Sequence, residues 1–176
     1  MDSDREVDLK RVSLSKAECP VARSLDAIGD WWTLLIVRDA FDGVRRFGAF
    51  QKSLGIARGI LTARLKEMVE RGVMTVTPAS DGTAYQEYVL TEKGRDLFAV
   101  VVALRQWGEA HLYTPGEQHS TLIARATEQR VGRLQVRAAN GRPLCWDDTE
   151  VRKASPIVGA AKRAGVPRAR RAVKGA

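Results

Sequence analysis

The residues most suggestive of chemistry in this sequence form a basic cluster. Six lysines and arginines lie between positions 43 and 66 with no acidic residue among them: Arg45, Arg46, Lys52, Arg58, Arg64 and Lys66. Clustered basic side chains neutralise the phosphates of a nucleic acid backbone. The cluster therefore predicts a surface that binds a polyanion.

The second half of this cluster lies in an amphipathic stretch, "GIARGILTARLKEMVERGVM", at positions 55–74. Apolar residues recur in it at helical spacing and predict a buried stripe: Ile56, Ile60, Leu61, Leu65 and Met68. The opposite face of the same helix carries Arg58, Gly59, Thr62, Ala63 and Lys66. That face combines positive charge with very little bulk, which suits close contact with a large partner.

These outward residues are of the types that read a DNA major groove, which is about 12 Å wide. Arginine at position 58 has the geometry to bond guanine through two hydrogen bonds, and Thr62 offers a methyl group to thymine or a hydroxyl to phosphate. Lys66 suits phosphate, and Gly59 and Ala63 let the backbone of the helix approach the DNA closely. We expect Arg45, Arg46 and Lys52, on the preceding turn and helix, to hold the flanking DNA backbone. The alternative interpretation is an ordinary solvated basic face.

The elements that must position this face are mostly helical. Pro20 predicts the first position of a helix "PVARSLDAI", with Cys19 as its N-cap and Gly29 as its stop. Asp30 caps a second, largely apolar helix, "WWTLLIVRDAF". A short third helix, "RFGAFQKSLG", ends at Gly55, and the amphipathic helix described above follows it to Gly72. The last two helices, joined by a tight glycine turn, predict a helix-turn-helix.

After Gly72 the apolar period changes from helical to alternating. The stretches "VMTVTP" and "QEYVLT" predict two strands, joined by a turn at Asp81 and Gly82. Thr91 then caps one long helix, "EKGRDLFAVVVALRQWGEAHL". The predicted fold is mainly α with a small β-hairpin wing, the element order of a winged helix-turn-helix.

The remainder of the chain predicts an arm, an appendage and a tail. "YTPGE" at positions 113–117 breaks the helical pattern, and an Asn140–Gly141 turn between short alternating pieces predicts a small β appendage. The expected organisation is a flexible N-terminal arm, a winged helix-turn-helix DNA-binding domain, the β appendage and a basic, disordered tail: 1–15, 16–113, 114–150 and 151–176.

Charge and composition exclude several other classes of protein. The formal net charge of +8 resides in the tail, because positions 151–176 carry eight basic and no acidic residues and the rest of the chain is balanced. The apolar runs are too short for a membrane span and the start lacks a signal peptide's apolar region, so we expect a cytoplasmic protein.

His111 and His119, the only histidines, have no partner at catalytic spacing, so no enzyme activity is expected. Two distant cysteines, Cys19 and Cys145, predict neither a disulfide nor a metal site, and no cofactor is expected.

Three stretches carry a family resemblance: "CPVARSLDAIGDWWTLLIVRD", "RRFGAFQKSLGIARGILTARLKEMVERGV" and "YVLTEKGRDL". In this order they resemble the HxlR-type winged helix-turn-helix transcriptional regulators, relatives of the MarR type. The resemblance implies a bacterial homodimer that binds double-stranded DNA at a pseudo-palindromic operator. It also implies that the first helix and the helix after the wing form the dimer interface, which would include Leu97, Val100, Val101, Leu104, Trp107 and Leu112.

The chain departs from the family pattern at both DNA-contacting elements. Where relatives commonly open the recognition helix with a serine cap and a lysine, this chain has Ala57 and Gly59. Asp81 stands where a basic wing tip would favour the minor groove, so we expect little from the wing beyond a phosphate contact by Ser80 or Thr83. The stretch after residue 120 resembles the zinc ribbon of longer members without its cysteine pairs.

Cys19 carries a further expectation from the resemblance. Some family members use the matching cysteine to sense oxidants or electrophiles, and a helix N-terminus favours the negative charge of a thiolate. The alternative is a small residue that only caps a helix.

The sequence thus predicts a dimeric, sequence-specific transcriptional repressor that responds to a small-molecule effector or to oxidant stress. Two alternatives stay open: a non-specific architectural DNA-binding protein driven by the basic tail, and a winged-helix module that binds proteins.

Overall fold

The computed structural model describes residues 13–153. The main elements follow one another as α1 (Pro20–Ile28), α2 (Trp31–Phe41), α3 (Phe47–Leu54), α4 (Arg58–Glu70), β1 (Met74–Pro78), β2 (Gln86–Leu90), α5 (Glu92–Arg95) and α6 (Phe98–His111). This order confirms the predicted winged helix-turn-helix. Most of the predicted arm and tail, residues 1–12 and 154–176, lies outside the described residues.

Local signals account for the boundaries of the first helices. Pro20 opens α1 after Cys19, and the Asp30 carboxylate accepts hydrogen bonds from the backbone N–H groups of Trp32 and Thr33 at the start of α2. Gly55 separates α3 from α4 with a φ of +61°, a left-handed conformation that favours glycine. These predictions are confirmed.

The core lies where α2, α3 and α4 meet the hairpin. Two half-buried residues pack against this core: Leu97, which immediately precedes α6, and Val101, which lies in the first turn of α6. The buried apolar residues of this cluster are Ile36, Val37, Phe50, Ile56, Leu61, Leu65, Met68, Val73, Met74 and Leu90. Packing of α2 against both helices of the helix-turn-helix thus fixes the orientation of α4.

The predicted buried stripe of α4 is wrong at one position. Ile60 is 44% exposed, whereas Leu61, Leu65 and Met68 are buried. Helix α4 begins at Arg58, so Ile60 lies in its first turn. Near the other end of the helix, the half-buried Val69 packs against the core. Ile56 is buried as predicted, but it precedes the helix.

The hairpin is antiparallel, with Met74 opposite Leu90 and Pro78 opposite Gln86. Strand β2 is connected to the loop before α3, because the backbone N–H of Tyr88 donates to the carbonyl of Arg45 at 2.8 Å. This hydrogen bond attaches the wing to the start of the helix-turn-helix.

The single long helix predicted after the wing is wrong, since the chain forms α5 and α6 instead. Thr91 caps only α5, accepting from the N–H of Gly94, and its own hydroxyl donates to the carbonyl of Gly72 at 2.6 Å. Lys93 donates to the carbonyl of Arg71, and Gly94 lies so close to the hairpin that an added Cβ would be 2.1 Å from the Val73 carbonyl oxygen. These contacts hold α5 against the base of the wing, and a separate helix, α6, begins at Phe98.

The structure divides into two compact units, one up to Leu134 and one from Gln135 onward. In the first, a bridge pairs Ile123 with Arg130; in the second, a bridge pairs Arg137 with Pro143 around a turn in which Gly141 has a φ of +85°. The turn at Asn140–Gly141 is thus present, but the predicted strands are reduced to single bridges. None of the helices within residues 13–153 has the length and apolarity needed to cross a membrane.

Candidate nucleic-acid interface

Helix α4 presents one face to the core and the other to the outside. Its inner face carries Leu61, Leu65 and Met68, which are buried. The five residues predicted on the outer face are all exposed: Arg58, Gly59, Thr62, Ala63 and Lys66. The core therefore holds the predicted DNA-reading residues together on one accessible surface.

Arg58 and Thr62 interact within this surface. The Arg58 guanidinium carbon lies 6.0 Å from the ring centroid of Phe47, at the outer limit of a cation–π contact. The Thr62 hydroxyl donates to the backbone carbonyl of Arg58 at 2.9 Å. While that hydrogen bond is present, the Thr62 hydroxyl cannot donate to a phosphate. Thr62 then offers a ligand only its methyl group and the acceptor lone pairs of its hydroxyl oxygen.

The N-terminus of α4 is open. Ala57 is its N-cap and makes no side-chain cap bond, and Gly59 has nothing within 4 Å of the place where a Cβ would be. Free N–H groups at a helix N-terminus favour an anion such as phosphate.

Arg46, predicted to hold the DNA backbone, is bonded to the wing. Its guanidinium donates to Asp81 and lies 3.4 Å from the Thr83 hydroxyl oxygen. The same group lies 5.6 Å from the ring centroid of Tyr85 and 3.9 Å from a carboxylate oxygen of Glu87. Two wing carboxylates therefore already neutralise much of the charge of Arg46.

The wing loop is organised around Asp81. The Thr83 hydroxyl donates to the Asp81 carboxylate at 2.7 Å and the Thr83 backbone N–H donates at 3.2 Å. These two bonds, with the Arg46 guanidinium as a further cause, lower the pKa of Asp81 from 3.8 to about 2. Thr83, predicted to contact DNA, thus also has its hydroxyl proton engaged.

Glu87 is the acidic residue that sequence reasoning missed. It is 5% exposed, accepts from the Ser80 hydroxyl at 3.1 Å and lies 3.7 Å from a guanidinium nitrogen of Arg45. The sequence did contain a signal for this buried carboxylate, because Glu87 is a charged residue within the predicted second strand. In the structure it lies in β2, opposite Thr77. A buried carboxylate requires a cationic partner, and here Arg45 and Arg46 both supply one.

The remaining predicted cations differ in their freedom. Arg64 lies 3.3 Å from the Asp30 carboxylate and 2.8 Å from that of Glu67, so it joins α4 to the start of α2. Lys66 is largely exposed and lies 3.8 Å from Glu70. Lys52 is exposed, and among residues 13–153 it has no hydrogen-bond or ion-pair partner.

An apolar surface remains uncovered on α6 and beyond it. Val100, Leu104, Trp107 and Leu112 are each at least 41% exposed, whereas Leu97 and Val101 pack against the core. The first helix has exposed apolar residues of its own, namely Val21 and Leu25, and Trp31 follows at the start of α2. These are the two regions that the resemblance assigns to a dimer interface.

Both cysteines are exposed thiols. Cys19 is the N-cap of α1, and the nearby Arg23 donates to the carbonyl of Ala17. Cys145 lies with Asp147 and Asp148 in an exposed group whose ligand atoms fall within 4.8 Å of one another. Asp148 already accepts from the Cys145 backbone N–H at 2.8 Å, so this group carries no metal assignment.

The helix-turn-helix, its exposed basic face and the hairpin beside it together define a winged helix-turn-helix protein. The chain belongs to the HxlR-like helix-turn-helix family, whose model matches residues 27–115. The predicted resemblance and fold class are confirmed.

Named relatives agree with this assignment. An uncharacterised HTH-type transcriptional regulator of Mycobacterium tuberculosis strain H37Rv is 50% identical over 95 residues, which cover 54% of this chain and 60% of that relative. The crystal structure of PA1607, described as a candidate transcription factor, has 56% identity and a TM-score of 0.77 and covers 81% of this chain and 100% of its own. PA1374 of Pseudomonas aeruginosa, described in the same way, has 38% identity and a TM-score of 0.56 and covers 80% and 95% of the two chains.

Proposed function

We propose that this regulator binds a specific pseudo-palindromic operator as a homodimer and acts as a repressor. The observation that carries the proposal is the division of α4 into two faces. Arg58, Thr62 and Lys66 are exposed on one face, and Leu61 and Leu65 are fully buried on the other. A helix held rigidly by its core and bare on its outer side suits insertion into a major groove.

The roles proposed within this surface follow from the contacts of each residue. Arg58 reads a base, Gly59 and Ala63 let the backbone of α4 approach the groove, and Thr62 presents its methyl group. Lys52 and Lys66, which are both exposed, contact phosphate. Arg45, Arg46 and Thr83 contribute to phosphate binding only when DNA displaces the wing carboxylates.

The proposed dimer is supported by the uncovered apolar residues of α1 and α6. Val21 on α1 and Leu104 and Trp107 on α6 are exposed, and apolar side chains grouped on a surface mark sites of protein association. Two copies must hold their recognition helices about 34 Å apart to enter successive major grooves. Repression is then relieved by any signal that changes this spacing.

The signal is proposed to be a small molecule or a modification of Cys19. The Cys19 thiol is exposed at the N-terminus of a nine-residue helix and makes no side-chain cap hydrogen bond, so a reagent can reach its sulfur. Cys145 is an internal control because it is also exposed. Limited treatment with iodoacetamide followed by mass spectrometry should modify Cys19 faster than Cys145, and equal rates would contradict a sensor role.

The DNA-binding proposal is tested by fluorescence anisotropy with the DNA upstream of the protein's own gene and a scrambled duplex of equal length. At about 0.15 M salt, non-specific binding has a Kd of roughly 10⁻⁴ to 10⁻⁶ M. We expect the upstream duplex to bind about a thousandfold more tightly. Fragments selected from the whole genome extend the test if the operator lies elsewhere, and absence of any preferred fragment would contradict sequence-specific binding.

A further inference from the structure

A pocket lies between α6 and the segment that follows it, entirely within the first compact unit. It has a volume of about 330 Å³ and is lined by residues of α6 and of positions 119–133. Such a volume is at the lower end of the range for small-molecule sites, about 300 to 1,000 Å³. This side of α6 is separate from the exposed apolar residues Leu104 and Trp107, neither of which lines the pocket.

The pocket has an excess of positive charge. Arg105, Arg130 and Arg133 line it, and Glu109 is the carboxylate among its lining residues. Arg105 is already paired, since its Nε lies 2.8 Å from a Glu109 carboxylate oxygen and its guanidinium contacts Ser120. Among residues 13–153, the Arg130 and Arg133 guanidinium groups have no hydrogen-bond or ion-pair partner. Two unpaired guanidinium groups beside one pocket favour an anionic ligand, and each matches the two oxygens of a carboxylate.

Part of the remaining lining is apolar. Leu122 and Val131 are half-buried and offer an apolar surface to the pocket, beside the polar His119 and Thr121. Gln106 holds the wall in place, because its amide donates to the carbonyl of Gly132 at 2.9 Å and accepts from the N–H of Leu134 at 2.8 Å. The ligand should therefore carry an apolar body as well as its negative charge.

We infer that this pocket binds a small organic carboxylate, with Arg130 and Arg133 holding the carboxylate and Leu122 and Val131 contacting the apolar body. The inference deepens the proposed function by naming the chemical class of the effector and its site, and its biological meaning rests on that proposal. The site is connected to the proposed dimer surface through α6 itself, so a bound ligand acts on the helix that sets the spacing of the two recognition helices.

The test measures ligand binding to the full chain without DNA. Isothermal titration calorimetry with acetate, hexanoate and benzoate at up to about 10 mM detects a Kd of about 1 mM. Benzamide serves as the neutral counterpart of benzoate, and inorganic phosphate serves as an anion without an apolar body. We expect benzoate or hexanoate to bind, benzamide not to bind, and acetate and phosphate to bind more weakly.

Matched variants locate the site. Arg130→Gln and Arg133→Gln should each weaken carboxylate binding by about tenfold or more, because each removes a charge-assisted hydrogen bond. Arg125→Gln, an exposed arginine outside the pocket, should leave it unchanged. Thermal unfolding of the ligand-free variants controls for a loss of fold.

Three results would overturn the inference: no carboxylate bound, phosphate bound in preference to every carboxylate, or equal losses in all three variants. DNA binding is measured separately by anisotropy. A protein that binds carboxylate but shows no operator preference would contradict the proposed function and leave the pocket assignment in place.

Discussion

Arg46 and Asp81 form an ion pair that joins the start of the helix-turn-helix to the tip of the wing. Thr83 strengthens this arrangement by donating twice to the same carboxylate. An arginine that the sequence assigns to DNA phosphate is thereby already held by an acidic group of its own chain. Phosphate must compete with Asp81 for Arg46.

Replacing Asp81 with asparagine should increase affinity for DNA of any sequence. The variant Asp81→Asn removes a negative charge and frees Arg46 for one more phosphate contact, so the plot of log K against log salt should steepen by about 0.9. Salt titrations of a scrambled duplex measure this slope. Asp147→Asn removes another exposed carboxylate, outside the wing, and should change little, and an equal effect of both variants would exclude a specific pairing with Arg46.

The effect of Asp81→Asn should not depend on pH in the physiological range. Because hydrogen bonds from Thr83 and Arg46 lower the pKa of Asp81 from 3.8 to about 2, the contribution of its charge is complete above the ordinary value and is lost only as pH falls through about 2. The ratio of variant to wild-type affinity should therefore be constant from about pH 5 to about pH 8. A ratio that changes in this interval would show that another group controls the pair.

Arg58→Ala and Lys52→Ala should weaken DNA binding in different ways. Loss of a base contact at Arg58 should cost about 1 to 3 kcal/mol on the operator and reduce discrimination against the scrambled duplex. Loss of a phosphate contact at Lys52 should weaken both duplexes alike and reduce the salt slope by about 1. Anisotropy titrations on both duplexes separate the two patterns, and a uniform loss for Arg58→Ala would remove it from the base-reading role.

Arg64 and Lys66 lie on the same helix but should differ in their contribution to stability. Arg64 is only partly exposed and joins α4 to Asp30 and Glu67, so Arg64→Ala should lower the free energy of unfolding by about 1 kcal/mol. Lys66 is 75% exposed in its side chain, and Lys66→Ala should stay within about 0.5 kcal/mol. Urea unfolding followed by circular dichroism provides the comparison. Equal values would mean that the Asp30 contact contributes nothing to stability.

Two glycines should respond oppositely to alanine. Gly94→Ala places a Cβ against the Val73 carbonyl oxygen and should destabilise the fold by about 1 to 3 kcal/mol. Gly59→Ala has open space and should stabilise α4 by up to about 1 kcal/mol, yet weaken DNA binding if the backbone approaches the groove there. Thermal unfolding and anisotropy together measure both effects. Unchanged DNA affinity in Gly59→Ala would argue against close approach at this position.

Local signals in the sequence were sufficient for most of the elements. The Asp30 cap, Pro20 at the start of α1 and the left-handed Gly55 each act within a few residues, so their effects were predictable without a partner. The division between α5 and α6 was not, because it depends on Thr91 and Lys93 bonding to carbonyls about twenty residues earlier in the chain.

The sequence by itself determined the winged helix-turn-helix order and the basic cluster from which its DNA-facing surface is built, since helical period, caps and turn residues are local properties. Only the tertiary structure decided which members of that cluster are accessible. Arg46 meets Asp81 across 35 positions and Arg64 meets Asp30 across 34, whereas Lys52 has no such partner within the described chain. Charge pairing depends on distance in space, and sequence separation does not record that distance.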